Sequence, residues 1–218
     1  MEGFTSRKSC HKSKRADFRK IYREEEEKKK EEEGEDGDDN VLLSSILVID
    51  PGWRNLGIFL LEIDYEKEEL RKKSQTLDLG ISKSATPREI ELALDSVLPD
   101  FFGKLLKRID LLVMERQPSK FPANRELQIV LNTYFNIKYK VWATYLLSPV
   151  AVKNKLGLPL SKDHSKNKFL MQECIRTNEN LLFHGDYDSH IADCVGLLNV
   201  FLQSHKRISK LVNFYREK

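Results

Sequence analysis

The fold of this chain is decided by residues 46–63, which read ILVIDPGWRNLGIFLLEI. The apolar runs at 46–49 and 57–63 have the length of strands, and the Pro-Gly pair and Asn55 between them are typical of a tight turn. We therefore predict two antiparallel neighbouring strands joined by this short connection. Asp50 ends the first run, so we expect its carboxylate at the tip of a buried strand.

Strand-like and helix-like segments alternate further along the chain. A weaker third strand is predicted at about 70–80, and two more at 110–114 and 141–147. Helices are predicted at four places, which are the segment that begins at the N-cap Thr86 with Pro87, then 123–137, 163–178 and 188–204. Pro99 is expected to interrupt or kink the first helix. Three strands followed by βαβ units predict an α/β fold with a mixed five-stranded sheet flanked by helices.

The first 40 residues differ in composition from the rest. Residues 1–23 carry a net charge of +6 and residues 24–40 a net charge of −8, so the overall +3 leaves +5 on residues 41–218. Residues 24–40 contain no apolar residue and cannot bury surface to offset the entropy of ordering. We predict a tail at 1–40, either disordered or a frayed helix, before one domain at 41–218. Its basic part is either a solvated segment or one that binds phosphate or directs the protein to the nucleus.

Membrane insertion and disulfides are not expected. The chain has no window of about 18 apolar residues and no apolar core of a signal peptide near its start, which predicts a soluble, intracellular protein without membrane association. Its three cysteines include no CxxC pair, which favours a reducing compartment. A zinc site formed by Cys174, His184, His190 and Cys194 is an alternative, although a cysteine on an apolar helix face is usually part of the core.

Four residues form the candidate catalytic site. Glu115 ends the second buried run, as Asp50 ends the first, and His190 and Asp193 share one face of the last predicted helix. The three carboxylates are the hard oxygen ligands that Mg²⁺ prefers, and two such ions about 3.5–4 Å apart can hydrolyse a phosphodiester. His190 could ligate an ion, carry a proton near the attacking water, or be an ordinary helix histidine.

Each acid also has a structural interpretation. Asp50 follows a strand, where a carboxylate often belongs to a turn or a cap, and Arg116 could pair with Glu115. Asp193 lies between Ile191 and Val195 on a largely apolar helix, where an acid without a partner would be costly. A metal ion is the natural partner for such an acid.

Basic residues indicate where a nucleic-acid backbone could lie. Lysines cluster in a segment that contains Gly157 and Pro159 and is predicted to be a loop leading into a helix, a common place for phosphate contacts. The cluster consists of Lys153, Lys155, Lys162, Lys166 and Lys168. Trp53 and Arg54 directly follow the candidate metal ligand and could stack on or contact DNA near the cleavage site, although Trp53 could equally be a packing residue.

Together these segments suggest a family. ILVIDPGWRNLG at 46–57 resembles the first motif of the RuvC-type Holliday junction resolvases, and VMERQP at 113–118 resembles their second acidic motif. DSHIADC at 188–194 resembles their last motif, commonly written DHxADA. PVAVK at 149–153, followed by Lys166, resembles the basic segment that these enzymes use near the scissile strand. The matches occur in the order of the family.

The resemblance implies a ribonuclease-H-like fold and a homodimer that nicks opposing strands of a four-way DNA junction symmetrically. It also implies dependence on Mg²⁺, for which Mn²⁺ can substitute, and makes the helix at 123–137 the candidate dimer surface. Within the family the chain is most similar to the poxvirus-type branch of large DNA viruses, which would place it in the cytoplasm or nucleus of a host. It departs from the pattern in its charged tail, in Cys194 in place of alanine, and in His190, where many members have Asp.

Three other hypotheses fit parts of the sequence. An ATPase fragment of the actin or sugar-kinase type also opens with an Asp-x-Gly turn, but the chain has no room for the second domain that such proteins need. A junction-binding protein without cleavage would have no reason to keep a buried Asp193. A related nuclease acting on flaps, other branched DNA or RNA hybrids stays open, because junction selectivity depends on how two protomers are oriented.

Overall fold

The computed structural model describes residues 43–103 and 108–217. The tail predicted at 1–40 therefore lies outside the described residues. The strands are β1 (Ser45–Asp50), β2 (Leu56–Asp64), β3 (Glu69–Leu77), β4 (Leu111–Glu115) and β5 (Ala143–Leu147). The helices are α1 (Pro87–Phe102), α2 (Pro122–Tyr139), α3 (Pro149–Lys155), α4 (His164–Thr177), α5 (Ser189–Ser204) and α6 (Lys206–Arg216).

The five strands form one mixed sheet in the order β3-β2-β1-β4-β5. Strands β1, β2 and β3 are antiparallel neighbours, whereas β4 runs parallel to both β1 and β5. This arrangement confirms the predicted α/β class, the mixed five-stranded sheet and the antiparallel pair at the start of the domain. The strand that ends in Glu115 lies beside the strand that ends in Asp50.

Strand β1 lies at the centre of the sheet, and both of its faces are apolar. Ile46 and Val48 pack into a core on one side of the sheet, together with α4 and α5. Leu47 and Ile49 pack into a second core on the other side, together with α1 and α2. Since successive side chains of a strand point to opposite faces, an uninterrupted apolar run is what a strand covered by helices on both sides requires.

Helix α1 begins as predicted and ends later than expected. Thr86 and Glu89 form a capping box at its N-terminus, with Pro87 in the first turn. Of the two effects expected of Pro99, interruption of the helix is wrong, because α1 continues through it to Phe102. The buried side chains of Leu98, Phe101 and Phe102 hold the last turn against the sheet, and this packing offsets the hydrogen bond that proline cannot donate.

Two further assignments are corrected by the structure. Lys153 and Lys155 lie on the short helix α3 and not in a loop. The chain also continues beyond α5 into α6, a helix that was not predicted. Ile208, Leu211 and Val212 give α6 an apolar stripe against the core. Within the described ranges, no helix is long and apolar enough to cross a bilayer.

A buried carboxylate fastens the start of β1 to the start of β4. The side chain of Asp110 is 3% exposed, and its Oδ2 accepts hydrogen bonds from Ser44 N at 2.7 Å, Ser44 Oγ at 2.7 Å and Ser45 N at 3.0 Å. Arg108 Nε lies 3.1 Å from the other oxygen. Asp110 thus satisfies backbone donors that would otherwise be orphaned where the first strand enters the sheet.

Replacing Asp110 with Ala is expected to lower the free energy of unfolding by about 3 kcal/mol, because several part-buried donors would lose their acceptor together. Urea denaturation measures this change. Asp100→Ala, which removes an exposed carboxylate from α1, is the matched control and should have little effect. Equal losses for the two variants would contradict the role assigned to Asp110.

Candidate active site

Two carboxylates meet at one edge of the sheet. Strands β1 and β4 are parallel and their last paired residues are Ile49 and Met114, so Asp50 and Glu115 each follow one step later. The carboxyl ends of neighbouring parallel strands lie side by side, which places both acids at the same edge. Asp50 is 9% exposed and Glu115 is partly buried.

Helix α5 supplies the other two site residues. Its N-cap is Asp188, whose Oδ1 accepts hydrogen bonds from His190 N at 2.8 Å and Ile191 N at 3.0 Å. Thr76 at the end of β3 donates to the same carboxylate at 3.0 Å. The first turn of α5 is therefore fixed to the sheet, and His190 and Asp193, three residues apart, both line the cleft described below.

Gly57 allows α5 to approach β2 closely. A Cβ atom at this position would lie 2.8 Å from His190 O and 3.1 Å from Cys194 Sγ. Gly57 also pairs with Asp50 across the first two strands. A larger residue here would push the helix that carries His190 away from the strand that carries Asp50.

The side chains of His190 and Lys168 connect the acids. His190 Nδ1 lies 3.4 Å from Asp50 Oδ2, while Lys168 Nζ lies 2.9 Å from His190 Nδ1, 3.2 Å from His190 Nε2 and 3.8 Å from Asp193 Oδ2. An ammonium can only donate, so the imidazole nitrogen that accepts from Lys168 must carry a lone pair, which a neutral His190 supplies. Lys168 thus lies within the candidate site.

Glu115 is oriented by a network that reaches into α2. Gln117 Nε2 donates to Glu115 Oε2 at 2.8 Å, and the backbone N–H of Gln117 donates to Gln128 Oε1 at 2.6 Å. Asn124 contacts Gln117 Oε1 and in turn accepts a hydrogen bond from Trp53 Nε1 at 3.2 Å. One oxygen of the Glu115 carboxylate is therefore held by the protein.

The three carboxyls resist ionisation in the absence of added cations. Burial raises the pKa of Asp50 to about 7, against the opposing effect of Lys168. Burial and the charge of Asp50 raise the pKa of Glu115 to about 7, and burial together with Asp50 and Glu115 raises the pKa of Asp193 to about 8. Burial and Lys168 lower the pKa of His190. Buried acids that raise one another's pKa are typical of functional sites.

These groups line a cleft of about 870 Å³. Asp50, Glu115, His190 and Asp193 all contribute to it, and so do the basic side chains Arg54, Lys83, Lys153, His164 and Lys168. One cleft therefore presents buried acids together with basic side chains, of which Lys153 lies on α3 and His164 and Lys168 lie on α4.

Not every predicted DNA-binding residue reaches this cleft. Lys155 and Lys166 are exposed but do not line it, and the Lys155 ammonium is bonded to Ser204 Oγ. Trp53 does line the cleft, but it is 5% exposed and packs in the second core. Its burial favours the packing interpretation over stacking on a base.

The donor chemistry of the site fits a hard divalent cation. Three carboxyl groups with raised pKa values face one cleft. A bound cation would favour their ionised form and so lower those pKa values. Between residues 43 and 217, outside the gap at 104–107, no three His, Cys, Asp or Glu side chains converge closely enough to hold a metal ion as they stand. The zinc alternative is not formed, since Cys194 is fully buried in the apolar core under α5.

Two contributors to the site were not predicted from the sequence, and a third was given another role. Gln117 and Gly57 appeared only within longer segments, and Lys168 was assigned to the phosphate-binding surface. The i, i+2 spacing of Glu115 and Gln117 was the available signal for the first, because alternate residues after a strand can face the same side. Nothing local distinguishes Lys168 from its neighbouring lysines.

Comparisons with known proteins find similarity at the level of structure. No family model matches the sequence, and no curated protein matches it. Thermus thermophilus RuvC in complex with a Holliday junction substrate is 15% identical, with a TM-score of 0.49 over 74% of this chain and 96% of that one. The yeast mitochondrial Holliday junction resolvase Ydc2 is 14% identical, with a TM-score of 0.45 over 80% and 86% of the two chains.

A third solved structure is that of the fowlpox virus resolvase with its substrate Holliday junction DNA. It is 14% identical, with a TM-score of 0.46 over 75% of this chain and 98% of that one. All three structures are of Holliday junction resolvases, the group that the sequence motifs of this chain resemble.

Proposed function

We propose that this protein is a Holliday junction resolvase, a structure-selective endonuclease that makes paired, symmetric nicks in four-way DNA junctions with Mg²⁺ as its cofactor. The observation that carries the proposal is that Asp50, Glu115, His190 and Asp193, from two strand ends and one helix, all line a single cleft that also has basic side chains. The buried carboxyl groups suit metal ions, and the basic side chains suit phosphates.

Asp50, Glu115 and Asp193 would hold the metal ions. Bound Mg²⁺, with Mn²⁺ as a substitute, would supply the activated water and the stabilisation of the leaving oxygen. Asp50 is the natural shared ligand, because its charge acts on both Glu115 and Asp193. Gln117 would hold Oε2 of Glu115 in a fixed direction and so limit how that carboxylate can turn.

His190 is placed to ligate an ion or to move a proton. Its lowered pKa keeps the imidazole neutral at neutral pH, so one ring nitrogen carries a lone pair. Asp50 faces Nδ1 at 3.4 Å and helps to hold the ring. A proton accepted at the free nitrogen would come from the attacking water.

Lys153 is proposed to contact the DNA backbone. It lies on α3 at the cleft, near enough for its charge to act on Glu115, and Arg54 also lines the cleft. A backbone phosphate that entered the cleft would meet these cations. Such contacts hold the substrate in register but do not read its sequence.

Lys153→Ala is expected to weaken junction binding by roughly tenfold at low salt and to reduce the salt dependence of the affinity by about one phosphate contact. Fluorescence anisotropy at several salt concentrations measures both quantities. Lys155→Ala is the matched control, because it removes the same charge from the same helix outside the cleft. If both variants lost the same affinity, the contact would not be specific to the cleft.

We also propose a homodimer formed through α2. The helix exposes Ile129 at 54% and Ile137 at 76%, and Trp142 just beyond it is 62% exposed. Exposed apolar side chains on one element are typical of an interface. Light scattering on wild type and Ile137→Asp tests this proposal: the wild type should have the mass of two chains and the variant that of one.

The compartment proposed for the protein is intracellular and reducing. Both described cysteines, Cys174 and Cys194, are free thiols. Burial raises the pKa of each, which keeps them protonated and unreactive. Unpaired thiols are the usual state of cysteine in such compartments.

The function is tested by cleavage of a labelled synthetic four-way junction with Mg²⁺ and with EDTA, beside duplex and flap controls of the same sequence. Paired symmetric nicks in the junction alone, lost in EDTA, are expected. Equal cutting of every substrate would instead assign a broader nuclease. Tight binding without nicks would assign a junction-binding protein.

A further inference from the structure

Lys168 occupies an unusual position for a surface-helix lysine. Its side chain is only 21% exposed, and its ammonium lies 2.9 Å from His190 Nδ1 and 3.8 Å from Asp193 Oδ2. Lys166, on the same helix, is exposed and does not line the cleft. Two lysines two positions apart therefore meet different surroundings, one in solvent and one among the candidate metal ligands.

The charges around Lys168 are strongly unbalanced. Asp50, Glu115 and Asp193 all feel its positive charge, and Lys153 acts on Glu115 from α3. His164 and His190 face the same ammonium, and both stay neutral at neutral pH because Lys168 and burial lower their pKa. Lys168 is thus the cation shared by all three acids.

We propose that Lys168 is a built-in counter-ion that competes with divalent cations for the acidic cleft and is displaced when a cation binds. The inference rests on the metal site of the proposed function. Two observations support it: the ammonium contacts two of the four candidate ligands, and the acids do not converge as they stand. A cation that drew His190 and Asp193 together would have to move the ammonium from its position beside both.

Competition has a consequence with a definite sign. A lysine that only supported the fold would leave metal affinity unchanged or weaken it when removed. A competing lysine opposes the metal through charge repulsion at short distance, so its removal tightens metal binding. The same lysine stabilises the metal-free cleft, so its removal lowers the melting temperature more without metal than with it.

The test is calorimetric titration of the full chain with Mn²⁺ at pH 7.5, using Lys168→Met and the matched control Lys166→Met. Both substitutions remove one positive charge from α4, so a general change in net charge affects them equally. We expect Lys168→Met to bind Mn²⁺ roughly tenfold more tightly than Lys166→Met. In EDTA its melting temperature should be lower than that of the control, and saturating Mn²⁺ should reduce the difference.

Two further variants keep the test decisive. Lys168→Gln removes the charge but keeps a polar group beside His190. It should also tighten Mn²⁺ binding, and it replaces the methionine variant in the test if that variant does not fold. Lys168→Arg retains the charge and should keep the wild-type affinity. Unchanged or weaker Mn²⁺ binding by the neutral variants would overturn the inference while leaving the proposed function intact. A wild type that binds no Mn²⁺ would overturn both.

Discussion

Asp50→Asn is expected to reduce junction cleavage by about a thousandfold or more, because the variant loses the negative charge of the proposed shared metal ligand. Asp50 contacts His190 and raises the pKa of both Glu115 and Asp193. Asparagine preserves the shape of the side chain, and the end of β1 should therefore keep its structure. Single-turnover cleavage of a labelled junction measures the loss.

Glu115→Gln and Asp193→Asn are expected to behave in the same way. Junction binding in EDTA should be retained or tightened in all three variants, because each removes negative charge near the phosphates and leaves Lys153 in place. Asp186→Asn is the matched control, because it removes an exposed carboxylate just before α5, outside the cleft. Full cleavage by the three site variants would refute the metal-site assignment.

Metal-free protein is expected to lose stability as the pH rises from about 4 to about 8, as far as these three acids determine it. The folded state raises the pKa of Asp50 and Glu115 to about 7 and that of Asp193 to about 8, whereas these groups ionise near their ordinary values of 3.8 and 4.5 in the unfolded chain. Between those limits the folded state binds more protons than the unfolded state. The free energy of unfolding therefore falls with rising pH and levels off above about 8.

Thermal melting in EDTA across this pH range measures the effect. The same melting experiment with added Mg²⁺ is the complementary measurement. A cation binds the ionised carboxylates, so added Mg²⁺ should raise the melting temperature more at pH 8 than at pH 6. Asp50→Asn should flatten the decline in EDTA, because the variant lacks one titrating group and relieves the other two. A melting temperature independent of pH in the wild type would contradict the burial assigned to these acids.

The sequence by itself determined the sheet and the positions of the acids along it. The apolar run ending in Asp50, the second run ending in Glu115 and the helix carrying His190 and Asp193 are local patterns, so periodicity predicts them. The α1 capping box is also local, since Thr86 and Glu89 are three residues apart. Local patterns were not sufficient at Pro99. The helix continues there because Phe101 and Phe102 are buried in a core formed by residues that are distant in the sequence.

Tertiary structure decided which neighbours of the acids take part in the site. Lys166 and Lys168 are indistinguishable by composition, and only the packing of α4 against α5 brings one of them to His190 and Asp193. Trp53 and Arg54 are adjacent, yet the first is buried and the second is exposed. Burial, charge repulsion and hydrogen bonding between groups far apart in the chain depend on distances in space, and these distances arise only when the sheet and its helices have assembled.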